Sequence, residues 1–398
     1  MAMNSLEKRA VFSLSSIMGL RMIGLFMVLP VFTLYASTLT GATPTLMGIA
    51  MGIYGLAQAV FQIPFGVLSD KFTRKPVILV GLLIFILGSV LAAYSHSIYM
   101  MMMARTLQGA GAVGSTILAL LADLTREEVR TKSMAITGMM IGLSFAIAMI
   151  LGPLLTQWMP ISDLFLLSAA FGVLAIIILG TLAPTPTSEH WHADTEPELK
   201  SFFSLLVAPK LATLNIGIFI LHAIFTASFI VIPIHLLHYL DIPSSHQWHI
   251  YLPTLLIGFL ISLICIGIAE SKKLIKPFFL GGIATLFIAE TVMLFAHSHL
   301  GLMVLGIALF LTGFSLLEAF LPSLISRTAP KSRKGSAMGI FSCAQFSGIF
   351  VGGVLGGWIY GNLGLMSVYL FSMILALFWL ILDFNRKQEP LQSTSSNH

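Results

Sequence analysis

The stretch GIYGLAQAVFQIPFGVLSDKFTRKPVILVGLLIFILGSVLAA, residues 52–93, holds two long apolar runs joined by a short charged turn, Ser69-Asp70-Lys71-Phe72-Thr73-Arg74-Lys75. About 20 apolar residues at a helical rise of about 1.5 Å reach across the hydrocarbon core of a bilayer. Backbone in lipid must satisfy its own N–H and C=O groups, so each run reads as a helix. The stretch is a transmembrane hairpin with its charges gathered at one membrane face.

Working outward, the same alternation of apolar run and polar break fills the chain. It predicts twelve spans, at about 13–36, 44–67, 76–95, 99–121, 134–157, 161–183, 210–237, 249–269, 277–297, 300–324, 336–358 and 364–384. The composition agrees: of 398 residues, 57% are hydrophobic and 9% charged, whereas a soluble domain is about 25% charged. Soluble folds and disorder are excluded, and runs of this length do not alternate as a β-barrel requires. Lys8 and Arg9 ahead of the first run resemble a signal peptide, but that run is long and carries Arg21, so it reads as a retained span.

All Lys and Arg except Arg21 and Arg105 fall in the termini and alternate loops: Lys8/Arg9, Lys71/Arg74/Lys75, Arg126/Arg130/Lys132, Lys200/Lys210, Lys272/Lys273/Lys276, Arg327/Lys331/Arg333/Lys334 and Arg386/Lys387. The positive-inside rule then puts both termini in the cytoplasm. The net charge of +5 is this topology signal and gives no reason to expect a nucleic-acid partner. Cys265 and Cys343 lie within spans, match no metal-ligand spacing and read as packing residues.

A polar stretch over 184–209 divides the chain. With a shift of 203 residues, Val28-Leu29-Pro30-Val31 lies over Val231-Ile232-Pro233-Ile234, Ser95-His96 over Ser298-His299, Thr125 over Thr328 and Arg130 over Arg333. Four matches at one offset mark a duplication. The expected organisation is an N-terminal six-helix bundle (1–183), a cytoplasmic linker (184–209), a C-terminal six-helix bundle (210–385) and a short tail (386–398). A parallel repeat of this kind places a site near the midplane between halves that rock about it.

Several motifs carry chemistry. Gly66-Val67-Leu68-Ser69-Asp70-Lys71-Phe72-Thr73-Arg74-Lys75-Pro76 puts a small residue at a helix end, an acid that can cap a neighbouring helix and a basic anchor. In span 4, Arg105-Thr106-Leu107-Gln108-Gly109-Ala110-Gly111 sets a costly intramembrane cation before glycines that admit close packing. In span 5, Gly142 precedes Gly152-Pro153, which can bend a helix and free a carbonyl. Tyr54, Gln58 and Gln62 recur every four residues, a polar stripe directed into a cavity or against another helix.

Together these resemble the loop, arginine and glycine–proline signatures of the major facilitator superfamily, in its twelve-span drug:proton antiporter type. The stretches SLSSIMGLRMIGLFMVLPV, RTLQGAGAV, LADLTREEVRTKSMA and LLEAFLPSLISRTAPKSRKGSAMGI are similar to a YajR-like branch. That branch can carry a ferredoxin-like domain after the last span, and the chain is expected to do without it. Thr73 stands where the family usually has Gly, which predicts a differently shaped turn. Ala148 and Thr156-Gln157 depart from the antiporter signature, and Glu270-Ser271-Lys272-Lys273 is a degenerate second copy of the loop.

The resemblance implies an all-α membrane protein of twelve helices in two pseudo-symmetric bundles. It implies a secondary transporter that exports amphipathic, drug-like small molecules in exchange for protons, as a monomer without cofactor or metal, in a bacterial-type inner membrane. It assigns Gly66, Asp70, Arg74 and Lys75, with Arg126 and Arg130, to a cytoplasmic gate in which Asp70 engages the end of span 11. Gly109, Gly152 and Pro153 serve packing and kinking, and Arg105 serves proton coupling or is a structural, snorkelling arginine.

Arg21, Arg105, Glu290 and Glu318 are the ionisable Arg and Glu residues deep in spans. Arg21 and Glu318 lie at matching depths, so a contact between them across the halves is expected, with a Glu318 satisfied in its own half as the alternative. Glu290, on a peripheral span, reads as structural or lipid-facing. Tyr54, Gln58, Gln62 and Gln108 are the expected cavity lining. His222 and His235 read as packing residues.

Two other functions stay open: a symporter or facilitator for a nutrient, and a lipid-modifying membrane enzyme using His238, Asp241, Ser244, Ser245, His246 and His249. No phosphate-binding G-x-x-x-x-G-K-[ST] loop exists to power a primary pump.

Overall fold

The structure, a computed structural model, describes residues 3–185, 205–330 and 333–384, without the side chains of Asp70, Lys71 and Thr131. The linker expected over 184–209 and the tail over 386–398 fall almost wholly outside the described residues. Span 1 comprises Ser5–Phe26 and Leu29–Ala36, and span 4 comprises Ile98–Ala110 and Gly114–Asp123. Spans 2, 3, 5 and 6 are Pro44–Lys71, Arg74–Ala93, Glu127–Leu155 and Ile161–Thr181. Spans 7 to 12 are Pro209–His238, Trp248–Ser271, Ile275–Ala296, Leu300–Thr328, Lys334–Leu363 and Leu365–Phe384. Eleven of these twelve are apolar and long enough to cross a membrane as continuous or nearly continuous helices. Span 4 is the exception, because its helix breaks between Ala110 and Gly114.

Boundary differences have local causes. Span 1 begins at Ser5 rather than near 13 because Asn4 and Glu7 form a reciprocal capping box. It then breaks at Met27–Val28, just before Pro30. Pro233, the repeat counterpart of Pro30, sits inside an unbroken span 7. Pro153 lies in the last turn of span 5, so it does not kink the middle of that helix as expected.

Neighbour relations repeat between halves. In the first half, span 1 packs on 5 and 6, span 3 on 4 and 6, and span 2 on 4. In the second, span 7 packs on 11 and 12, span 9 on 10 and 12, and span 8 on 10. Adding six to each number of the first set produces the second, the structural form of the duplication. Across the halves, span 2 meets span 11, span 5 meets span 8, and the end of span 1 meets span 7.

The ends of the bundle are called here the basic end, which holds the N-terminus and the Lys/Arg loops, and the distal end. At the distal end the halves are shut. An added Cβ on Gly353 would lie 2.5 Å from the Gly48 carbonyl, and one on Gly357 would lie 2.5 Å from that of Pro44. The seam continues through Gly52 and Gly55 to Ala59, whose carbonyl is 3.7 Å from Cys343 Sγ. Such backbone contact is open only to residues without a side chain. Toward the basic end the halves part: an added Cβ at Gly66, Gly138, Gly335 or Gly339 meets nothing within 4 Å. A cleft therefore opens between the halves at the basic end.

Candidate functional site

At the head of this cleft stands Glu318 of span 10, with a side chain 36% exposed. Gln345 Nε2 of span 11 donates to its Oε1 at 3.2 Å, and His222 Nε2 of span 7 lies 3.7 Å from its Oε2. Gln345 and His222 meet at 2.9 Å. His222 is itself held by its Nδ1 against the Ile218 carbonyl. Beside this triad is an aromatic cluster. Phe314 lies one turn before Glu318 and packs at 4.6 Å from Phe225 and 5.6 Å from His222, measured between ring centres. Phe145 of span 5 joins the cluster from the other half at 5.8 Å from Phe314, and Phe26, at the break of span 1, meets Phe145 at 5.4 Å. An acid thus faces the cleft next to an apolar surface built by both halves.

Both intramembrane arginines lie in the first half, inside the protein. Arg21 is fully buried; its Nη2 donates to Gln58 Oε1 at 3.1 Å and its guanidinium lies 5.8 Å from the Phe85 ring. Arg105 is held between the rings of Tyr54 and Phe32, at 4.5 and 5.5 Å. Its Nη1 donates to Gln108 Oε1 at 2.8 Å, and Gln108 in turn donates to Ser89. Amide dipoles and aromatic faces thus replace a carboxylate partner. A buried cation without an acid is expensive, so these contacts hold each arginine in place.

The expected contact between Arg21 and Glu318 is absent: among the described residues no hydrogen bond or ion pair joins them. Arg21 turns toward span 2 within its own half, while Glu318 takes its hydrogen bond from Gln345 in the other, and its Oε2 has no hydrogen-bond partner among the described residues. The span 2 stripe is what receives the arginines. Tyr54, Gln58 and Gln108 are buried against them and do not line the open cleft, whereas Gln62 is partly exposed. Gly109 and Gly152 do serve packing. A Cβ on Gly109 would overlap the Tyr54 carbonyl, the contact that sets the Tyr54 ring over Arg105. One on Gly152 would overlap the Met27 carbonyl, at the break of span 1.

The basic loops are tied within the first half. Arg74 Nε bonds Asp123 Oδ2 at 3.0 Å and its Nη1 reaches Ser69 Oγ, while Lys75 Nζ donates to the Ala183 carbonyl. Arg126 grips Glu7 through Nε at 2.7 Å and Nη2 at 3.1 Å, and Arg130 reaches the Thr125 carbonyl at 3.4 Å. The Asp70 side chain lies outside the described residues. Beside Gly66 there is open space, so its close packing does not occur in this arrangement.

Thr73 sits in a strained turn. It adopts φ 71°, ψ 148°, a conformation glycine favours, so a β-branched residue bears the strain of the turn. Thr73→Gly should therefore stabilise the protein by about 1 kcal/mol, net of the entropy glycine loses on folding. Thermal unfolding in detergent checks this; an unchanged or lowered midpoint counts against stored strain.

Glu290 is fully buried between spans 7, 9 and 12, so it does not face lipid. His235 is buried and bonds Tyr369 and the His297 carbonyl. Where the loop between spans 7 and 8 enters span 8, His249 stacks on Trp248 and His246, and Ser245 bonds its neighbour His246; no acid orients either ring among the described residues. The Ser245 carbonyl accepts from Gln157 of the first half. That loop is built as a distal seal and not as a catalytic centre.

Sequence reasoning set His222 aside and passed over Gln345. The usable signal was polarity inside otherwise apolar spans, which in lipid calls for a partner.

Residues 14–272 and 214–397 match the family model of the Major Facilitator Superfamily. The inner membrane transport protein YajR of Escherichia coli is 42% identical over 388 residues, covering 98% of this chain and 85% of that protein. The multidrug resistance protein MdtL of Vibrio parahaemolyticus is 25% identical over 350 residues, 84% of each chain. Among solved structures, the nucleoside transporter NupG superposes with a TM-score of 0.75 at 14% identity, covering 96% of this chain and 99% of that one. A D-xylose-proton symporter does so at 0.75 and 13%, covering 94% and 97%. At those identities the likeness is one of fold. These relatives and neighbours are transport and resistance proteins, and the enzymatic reading of the loop histidines falls away.

Proposed function

The chain belongs to the major facilitator superfamily, a family of membrane transporters, and on that premise we propose that it exchanges amphipathic, drug-like small molecules for protons. The observation that carries this reading is the placement of Glu318, an acid facing the cleft between two halves that close at the opposite end. By the positive-inside rule the basic end is cytoplasmic and the cleft opens inward. There Glu318 releases its proton and its carboxylate accepts from Gln345, which His222 holds in place, while the Phe26, Phe145, Phe225 and Phe314 surface accepts an apolar substrate. Rocking brings the same acid to the outside, where reprotonation weakens the bond from Gln345 and lets the substrate leave.

Arg21 and Arg105 act through their fixed positive charge in the facing half, which favours the ionised acid. Closure of the basic end brings the Gly66–Lys75 loop, with Asp70, against span 11 and fills the space beside Gly66. The transporter works as a monomer, since one chain builds both walls of the cleft. The name of the MdtL relative supports a drug-like substrate.

Proteoliposomes holding the protein and fluorescent amphipathic dyes test the coupling. Dye should move against its gradient when protons flow the other way, and should stop when a protonophore collapses the pH difference. Dye that equilibrates without regard to the gradient would make this a facilitator, and dye that moves with the protons would make it a symporter.

A further inference from the structure

Glu290 has no part in the cleft. It is 0% exposed, on the side of span 9 that faces spans 7 and 12. Its Oε1 accepts from Ser228 Oγ of span 7 at 2.7 Å, and that hydroxyl lies 3.4 Å from Ser372 Oγ of span 12. Its Oε2 is buried with no hydrogen-bond partner among the described residues. The polar groups that face it are Ser228 from span 7 and Ser372 and Tyr369 from span 12, with Tyr251 of span 8 beyond Tyr369. Span 10 meets this part of span 9 through Gly306, against Ala289 and Met293. No cationic side chain pairs with Glu290 among the described residues. A bare carboxylate there would be an uncompensated buried charge, so the group must hold a cation of its own. One hydroxyl, Ser228 Oγ, stands at hydrogen-bond distance from it, 2.7 Å from Oε1, which suits a proton.

A polar ladder leads from this site to the distal end. Tyr369 lies one turn along span 12 from Ser372, on the same face of that helix, and no hydrogen bond joins the two among the described residues. Its hydroxyl is 3.2 Å from His235 Nδ1, and His235 Nε2 is 2.6 Å from the His297 carbonyl. His297 caps span 9 with φ 39°, a left-handed conformation that accompanies this carbonyl contact, and its own side chain is exposed. In each of spans 7 and 9 the two members stand seven residues apart: Ser228 and His235, Glu290 and His297. Each pair is therefore stacked on one helix face.

We propose that Glu290 is a second protonation site, separate from the cleft, that exchanges its proton with the distal face through Ser228, Ser372, Tyr369 and His235. In outward release the Glu290 O–H breaks and its proton passes through Ser228 and Ser372 to a water that enters the gap before Tyr369, and that water hands a proton on to the Tyr369 hydroxyl. Tyr369 passes a proton to His235 Nδ1, and the imidazolium then loses its Nε2 proton to solvent beside His297. One proton enters the relay and one leaves it, and each hydroxyl regains the hydrogen it gave. The site does not depend on whether Glu318 couples transport.

Infrared spectroscopy of the full chain in liposomes at neutral pH follows the carbonyl stretch of a protonated carboxyl. In a Glu318→Gln background such a band should remain, and it should disappear in Glu318→Gln/Glu290→Gln. On transfer to deuterated water the band should shift about fivefold more slowly in Tyr369→Phe, which removes one hydrogen-bonded step and keeps the ring. A band that survives Glu290→Gln overturns the assignment of the proton, and an unchanged exchange rate in Tyr369→Phe overturns the route. Loss of the band on adding sodium at fixed pH would make this a metal site and would also overturn the proposal.

Discussion

Glu318→Gln should abolish uphill transport and leave the protein folded. With one proton exchanged per substrate, a pH difference of one unit supplies about 1.4 kcal/mol and supports a gradient of about tenfold. The amide is nearly isosteric and can still bond Gln345 and His222, but it cannot take up a proton. The variant should therefore equilibrate dye and accumulate none. Vesicle uptake with and without the pH difference reads both quantities from one preparation. Accumulation at the wild-type level would remove Glu318 from the mechanism and return attention to Arg105. His222→Gln and Gln345→Leu refine the result: if Gln345 holds the ionised acid and His222 orients Gln345, each should shift the pH dependence of uptake without abolishing it.

Gly353→Leu should drive the halves apart at the distal end. The added Cβ would start 2.5 Å from the Gly48 carbonyl, on backbone that cannot rotate away as a side chain would. Overpacking of this kind costs about 1–3 kcal/mol, and each 1.4 kcal/mol shifts a two-state balance about tenfold. The cleft-open, distally closed arrangement should lose population to the opposite one. Spin labels at Thr38 and His246, both exposed at the distal end of opposite halves, should report a longer separation. Gly267→Leu is the control, because a Cβ there meets nothing within 4 Å. An unchanged distance in Gly353→Leu would show that the seam can yield without moving the halves, and that spans 2 and 11 do not set the conformational balance.

The consequences of both substitutions depend on how the spans are rotated against one another. The run lengths, the polar breaks and the placement of Lys and Arg are one-dimensional quantities, because lipid imposes the helix and the membrane imposes its length. The twelve spans, the duplication and the isolation of four charges in apolar surroundings were therefore readable without coordinates. So was the stripe of Tyr54 and Gln58, whose period alone puts it on one face.

Azimuth was not readable. Whether a side chain at a given depth points into the cleft, into its own bundle or toward lipid is decided by packing. Packing here is set by glycines such as Gly48, Gly109, Gly152 and Gly353, where one backbone rests on another. That rotation gives Arg21 to Gln58 and Glu318 to Gln345 and His222, and it buries Glu290 where a peripheral span suggested lipid. Thr73 makes the same point for the backbone: the tight turn between spans 2 and 3 imposes a left-handed residue on a side chain that resists it. The sequence alone determined how many helices cross the membrane and where the unusual charges sit along them. Only the tertiary structure decided which groups those charges face, because a charge in a low-dielectric interior takes the nearest dipole that helix packing presents, however far apart the two lie in the chain.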